Sequence, residues 1–417
     1  MFFRNALSCL AVTLGIFLPV SADDFALRDN DTVVFLGDSI TAARTYGKLI
    51  ENYTLLRFSE RRVRFINAGK GGDTAAGGLV RLERDVLDRG ATVVTVAYGV
   101  NDIGWGLKAD EEHKRKYLDG IAGIVQRCRE KNVRVFICSA AVTAGDPNKS
   151  EADFLQTMCD AGMELSRQLG GEAIDVQRAM REIQRRIVKA NEQITDPAKK
   201  ETLHAADGVH LNALGQTAMA YAILKGLGAP AAVSSVAIDM SPGRVTAATG
   251  CRVSELVAEG DRLEFTRLDD GLPLNGETFF ALQFRFVPIP DQLNRYLLQV
   301  TSLPEGRYDV SADGRSVGNY TAGQLGQGVN IASATTDGWL PGGPWDAQAN
   351  VLHSLTEARD KLNLASLLVN AHLPGQELTR QFLSEATDRN RDLEDLQRLV
   401  SRPRPYRFVV QRVEKKP

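Results

Sequence analysis

The sequence predicts an α/β fold: a five-stranded parallel sheet between two layers of helices, followed by a β-rich module and a helical segment. Three observations predict it. Between Thr32 and Leu227, short runs rich in Val, Ile and Phe alternate with longer stretches of helical periodicity. Polar or glycine-containing loops follow the first three of those runs. After Pro230 the texture changes to short alternating segments separated by turn residues.

The strand candidates are Thr32–Leu36, Val63–Asn67, Thr92–Tyr98, Val133–Ser139 and Glu172–Val176, whose composition fits strands buried on both faces. Between them, helices are expected near 42–57, 75–89, 111–131, 151–169 and 177–194, and a last one near 212–227 ends at Gly228 and Pro230. Beyond that boundary Glu277–Pro288 and Tyr296–Ser302 alternate like strands, and Arg307–Tyr320 reads as a hairpin turning at Asp313-Gly314. A loop containing Trp339 and Trp345 follows; from Leu352 to about Val400 the chain reads helical, before a basic tail. The expected division is 1–22, 23–229, 230–350 and 351–417.

Residues 1–22 read as an export signal: Arg4, an apolar stretch from Ala6 to Val20, and Val20-Ser21-Ala22 as a small-x-small cleavage pattern. The apolar stretch is shorter than the roughly 20 residues that span hydrocarbon, so a cleaved signal and a secreted or periplasmic protein are expected, without stable membrane insertion. Cleavage removes Cys9 and leaves Cys128, Cys138, Cys159 and Cys251, which fit either disulfides or buried free thiols. With 50 Lys and Arg against 52 Asp and Glu, nothing in the charge balance argues for a nucleic-acid partner.

Four clusters carry the chemistry. Phe35-Leu36-Gly37-Asp38-Ser39-Ile40 puts a serine just past the first strand, at the sheet edge where parallel folds bind ligands; a bare serine there also suits a helix cap. Asn67 through Thr74 holds three glycines in the four positions from Gly69, letting backbone N–H groups approach a substrate oxygen. Tyr98-Gly99-Val100-Asn101-Asp102 places an amide at the same edge, a donor without charge, although Asn-Asp is also common in turns. Asp207-Gly208-Val209-His210 spaces a carboxylate and an imidazole for a hydrogen bond that fixes the ring, or for a pair of metal ligands.

Together, in this order and each at a loop, the clusters resemble the SGNH hydrolase family, also called GDSL-type esterases and lipases. The blocks are Gly37-Asp38-Ser39, Gly69 to Thr74, Gly99 to Asp102 and Asp207 to His210, within residues of about 30–228. Ile40 stands where the alternative family name implies leucine. The resemblance implies a flavodoxin-like α/β/α fold, no cofactor and no metal. It also implies Ser39 as nucleophile, His210 as base, Asp207 as its orienting carboxylate, and an oxyanion hole from Ser39, Gly72 and Asn101. Water would then release the acyl group from Ser39.

The expected function is an exported serine esterase acting on small-molecule or glycan esters, with carbohydrate O-acetyl groups preferred because an appended β-rich module offers Trp339 or Trp345 as a sugar platform. A lysophospholipase or thioesterase uses the same chemistry. A noncatalytic polysaccharide-binding protein and a metal-dependent hydrolase built on Asp38, Asp102, Asp207 and His210 are the alternatives of other classes. The Gly-x-Ser-x-Gly match at Gly314 to Gly318 falls in the expected hairpin, not on a strand-to-helix elbow.

Overall fold

The computed structural model describes residues 25–276, 280–334, 342–373, 375 and 377–413. The expected export segment and Trp339 lie outside them. In chain order the first half contains β1 (Thr32–Gly37), α1 (Ser39–Ala42), α2 (Thr45–Arg57), β2 (Arg64–Gly69), α3 (Ala75–Leu82), β3 (Val93–Ala97), α4 (Glu111–Glu130), β4 (Arg134–Cys138), α5 (Phe154–Gln168), β5 (Glu172–Ile174), α6 (Val176–Asn191) and α7 (Ala213–Gly226). The five strands are parallel in the order β2-β1-β3-β4-β5.

Alternation along β1 explains the two helix layers. Val33 and Phe35 enter one apolar core with Tyr46 and Ile50 of α2, Met180 of α6 and Ala218 of α7. Val34 and Leu36 enter the other with Ala75 and Leu82 of α3, Ile121 and Ile124 of α4, and Met158 of α5. A strand with both faces covered must be apolar at consecutive positions, which is what made β1 legible. The chain leaves β1 in one direction to reach β2 and in the other to reach β3, so the loops after β1 and β3 flank the crevice where the strand order reverses.

The second half adds β6 (Ala232–Asp239), β7 (Arg244–Thr249), β8 (Cys251–Glu259), β9 (Arg262–Asp269), α8 (Ile289–Gln292), β10 (Arg295–Thr301), β11 (Arg307–Ala312), β12 (Arg315–Thr321), α9 (Ala322–Gln327), β13 (Val329–Asn330), α10 (Pro344–His372), α11 (Glu377–Val400) and β14 (Tyr406–Arg412). They build a four-stranded sheet, β13-β10-β6-β7, and a five-stranded sheet, β12-β11-β14-β9-β8. The 307–320 hairpin forms as expected, and Ser316 of the Gly-x-Ser-x-Gly match bonds Asp309 across it at 2.6 Å.

Three expectations are corrected. Of the segment read as a strand over 277–288, 277–279 lie outside the described residues and Phe280–Arg285 is a 3₁₀ turn; the buried Phe280 and Phe286 are six residues apart, the spacing of two such turns. The basic tail contains β14, which runs between β9 and β11 with Tyr406, Phe408 and Val410 inward. Trp345 is not a sugar platform: it is fully buried, stacked on Phe408 and edge-on to Tyr296, where the two β sheets meet.

The α10–α11 hairpin packs on α2. Arg359 donates to Glu51 at 2.6 Å and to Glu394 at 2.8 Å, and Gln397 donates to Glu51 at 2.9 Å. Arg44 and Lys48 pair with Asp360 and Glu357. All four cysteines in the described residues are free thiols, and burial pushes Cys128, Cys138 and Cys159 up to about 12.

Candidate active site

Ser39 opens α1 directly after β1. Asp38 caps that helix, its Oδ1 accepting from the Ile40 N–H at 2.9 Å, so the serine sits at a sharp strand-to-helix corner. The N–H of Ser39 belongs to the first turn and has no intrahelical acceptor.

His210 and Asp207 lie on the loop before α7. Asp207 Oδ1 accepts from the N–H groups of Val209 and His210, both at 2.9 Å, while Oδ2 stands 2.6 Å from His210 Nδ1. Those three hydrogen bonds hold the Asp207 carboxyl down at about 2, the Val209 N–H having the largest effect. An ionised carboxylate only accepts, so Nδ1 carries the hydrogen and the neutral ring presents Nε2 as an acceptor. Ser39 Oγ lies 2.9 Å from that Nε2, across 171 residues of sequence. Three of the five expected site residues therefore meet as hydroxyl, imidazole and carboxylate.

The loop is braced from behind. His204 is buried, its Nε2 at 2.8 Å from the Val142 carbonyl, and it pairs with Leu211 in an isolated bridge. Asn212 caps α7 through Gly215 N–H. Gln216, one turn on, accepts from the Tyr46 N–H at 3.1 Å and donates to the Ile40 carbonyl at 3.4 Å, tying the histidine's helix to the serine's corner.

Gly72 and Asn101 come to the same edge. Gly72 has φ +71°, and a Cβ there would meet nothing within 4 Å, so its backbone faces open space. Gly69 is needed for the opposite reason, because a Cβ would fall 2.2 Å from Ala42 N. Asn101 Nδ2 donates to the Asp73 carbonyl at 3.1 Å and, weakly, to Asp38 Oδ2 at 3.4 Å. Asp102 Oδ1 accepts from the Ala75 N–H at 2.9 Å, while its Oδ2 is buried without a partner. Burial pushes both Asp38 and Asp102 up to about 6.

Two residues that the sequence reading did not single out shape this site. Arg81 is a buried hub: it donates to Asp73 at 2.7 Å, the Ala68 carbonyl at 2.7 Å, the Gly37 carbonyl at 3.0 Å and Tyr98 Oη at 2.9 Å. It thereby ties together the ends of β1 and β2, the glycine loop and the residue after β3. Trp105, half-exposed, stands edge-on to His210 with ring centroids 5.6 Å apart, and its Nε1–H donates to Asn101 Oδ1 at 2.9 Å. The flanking Gly104 and Gly106 were its only sequence signal. Among the described residues, no group of three or more His, Cys, Asp or Glu side chains is arranged to hold a metal ion.

A doubly wound α/β/α domain whose serine and histidine meet at the carboxyl edge of the sheet defines a hydrolase-like frame. Residues 35–218 match the model of the GDSL-like Lipase/Acylhydrolase family. That part of the chain belongs to this family, and the protein is an ester-hydrolysing enzyme. A gut microbial diltiazem-metabolizing enzyme is similar in fold at 22% identity and TM-score 0.77, over 94% of this chain and 100% of its own. That likeness extends through the β sheets and the helical hairpin. Two others overlap about half of this chain: an alpha/beta hydrolase enzyme from the metagenome of Lake Arreo, Spain (23% identity, 49% of this chain, 98% of its own, TM-score 0.39) and an acetylxylan esterase from Geobacillus stearothermophilus (18%, 49%, 96%, 0.40). No curated protein matches the chain.

Proposed function

We propose that the protein is an exported serine esterase that forms an acyl-enzyme on Ser39 and acts on short acyl esters, above all the O-acetyl groups of carbohydrates. The observation that carries the mechanism is the relay from Ser39 Oγ through His210 to Asp207, at 2.9 and 2.6 Å. His210 Nε2 takes the hydroxyl proton as Ser39 Oγ bonds to the ester carbonyl carbon, and Asp207 stabilises the imidazolium that results. The carbonyl oxygen, now negative, meets the N–H groups of Ser39 and Gly72 and the amide of Asn101. His210 returns the proton to the departing alcohol, then activates the water that releases the acyl group.

The preference for short acyl groups rests on space. The cavity beneath the Asp38–Ile40 corner, lined by Ala97, Tyr98, Val100 and Met219, holds about 10 Å³. A void of that size has room for about one water molecule, too little for a fatty chain. The larger cavity of about 500 Å³ is lined by the α10–α11 hairpin, β2 and Arg44, and includes none of the five site residues. The half-exposed Trp105 beside His210 offers the flat apolar surface that a sugar ring requires, a role Trp345 does not fill. Export rests on the pattern of residues 1–22 alone.

The test is a fluorophosphonate probe on the pure protein, with hydrolysis of p-nitrophenyl esters of increasing chain length and of acetylated xylo-oligosaccharides. Labelling that disappears in Ser39→Ala, with activity falling as the acyl chain lengthens, is expected. Labelling that persists in Ser39→Ala rejects the nucleophile, and a preference for long chains favours a lysophospholipase or thioesterase. N-terminal sequencing of exported protein should begin at Asp23.

A further inference from the structure

A side-chain amide is a useful oxyanion donor only if its nitrogen, rather than its oxygen, faces the developing charge. The two ends are nearly the same size and interchange by a half-turn about the last bond, so their neighbours must decide. Around Asn101, those neighbours have fixed polarity. The Asp73 carbonyl only accepts, and it takes one Nδ2 hydrogen at 3.1 Å. The indole of Trp105 only donates, and its Nε1–H reaches Oδ1 at 2.9 Å. The second Nδ2 hydrogen makes only the 3.4 Å contact to Asp38, a weak bond that an arriving oxyanion displaces.

Trp105 is held in place at a conformational cost. Gly104, Trp105 and Gly106 have φ of +52°, +59° and +92°, a run of left-handed residues in which a bulky side chain is disfavoured. The loop is pinned by Trp105 N–H to the Val100 carbonyl at 2.9 Å, Gly104 N–H to the Asn101 carbonyl at 3.0 Å and Lys108 N–H to the Ile103 carbonyl at 2.9 Å. Strain kept at one surface tryptophan, between the base and the amide, marks a position whose side chain has work to do there.

We propose that Trp105 is a positioning residue of the oxyanion site: its indole N–H holds the Asn101 amide with Nδ2 toward the scissile carbonyl, while its ring packs against His210 in a T-shaped contact. The proposal rests on the reading of Asn101 as an oxyanion donor. Without the indole N–H, Oδ1 loses its donor and only the Asp73 and Asp38 acceptors still favour the productive orientation, so the amide is held less firmly with Nδ2 toward the charge it should stabilise. The loss falls on the transition state and leaves ground-state binding of a small ester nearly untouched.

The test uses the full chain, p-nitrophenyl acetate and a double-mutant cycle over Trp105→Phe and Asn101→Ala. Phenylalanine keeps an aromatic ring and removes only the N–H. Trp105→Phe should lower kcat roughly tenfold with KM changed less than about twofold and the melting temperature unchanged, because orientation is loosened but the donor remains. Asn101→Ala alone should lower kcat by about a hundredfold or more. In the Asn101→Ala background, Trp105→Phe should do nothing further, since the amide it orients is gone. Independent, multiplying losses overturn the proposal, as does a Trp105→Phe effect confined to KM, which makes the ring a substrate contact. An Asn101→Ala enzyme with unaltered kcat rejects the oxyanion reading itself, a result separable from failure at Trp105.

Discussion

Arg81 and Asp73 form a buried ion pair at 2.7 Å, and the same guanidinium holds the carbonyls that end β1 and β2. Tyr98 completes the cluster, donating its O–H to Asp73 at 2.9 Å while accepting from Arg81. The glycine loop that carries Gly72 is thus anchored from beneath by one side chain on α3.

Arg81→Met should therefore destabilise strongly. It leaves the Asp73 carboxylate buried with a single side-chain donor and takes a donor from the Ala68 and Gly37 carbonyls, the latter keeping the Lys70 N–H, a loss of about 3 kcal/mol or more by analogy with broken buried pairs. Urea unfolding measures it, and a midpoint within error of wild type rejects the role assigned to Arg81. Esterase activity should fall with stability, since the loop moves when its anchor goes.

Asp207→Asn tests the tautomer argument. Two backbone N–H groups already claim Oδ1, so the amide nitrogen of the variant occupies the place of Oδ2 and donates to His210 Nδ1. The ring hydrogen moves to Nε2, where it faces Ser39 instead of accepting from it. A loss in kcat on the order of a thousandfold at neutral pH is expected, with the fold intact by circular dichroism. The wild-type acid limb should not come from Asp207. Its carboxyl, held down at about 2, stays ionised from the ordinary value near 3.8 upward, and the stability it contributes is lost only as pH falls through about 2.

Asp102 predicts the opposite slope. Burial raises it to about 6 in the fold, so the folded chain binds more protons than the unfolded chain between about 4 and 6. Its favourable contribution is complete below the unfolded value and disappears as pH rises through about 6. Asp102→Asn keeps an acceptor for the Ala75 N–H and removes the charge. Relative to wild type it should gain on the order of 2 kcal/mol at pH 8 and nearly nothing at pH 4. Thermal unfolding at the two values measures this; parallel behaviour contradicts a strained carboxylate at this position.

The difference between what the chain announced and what it concealed follows burial geometry. β1 was legible because Val33 to Leu36 face two cores at once, and the site loops because each follows a strand or precedes a helix cap. Arg81 was not, since arginine in a helix ordinarily points to water and only the convergence of Gly37, Ala68, Asp73 and Tyr98 gives it a buried role. The strand at Tyr406–Arg412 carried a period of two in Tyr406, Phe408 and Val410, but the basic residues around it read as a solvated end. Trp345 shows the converse error: aromatic content suggested a surface, where packing between two sheets supplied the actual reason.

Arg359 offers a test of how far the C-terminal hairpin influences the site. Its guanidinium lies between Glu51 of α2 and Glu394 of α11, all three largely buried, and burial pushes the Glu51 carboxyl up. Arg359→Met strands two carboxylates and should lower stability by about 3 kcal/mol. Adding Glu51→Met removes one of the stranded charges and supplies apolar volume, so the double variant should recover part of that loss rather than add to it. Turnover of p-nitrophenyl acetate should change less than about twofold in the folded double variant. The hairpin touches the outer side of α2, whereas the serine corner is fixed from within by Asp38 and Gln216. A double variant as unstable as the sum of its parts denies the charge coupling, and a large fall in kcat with stability restored means that the hairpin steers Ser39 through α2 after all.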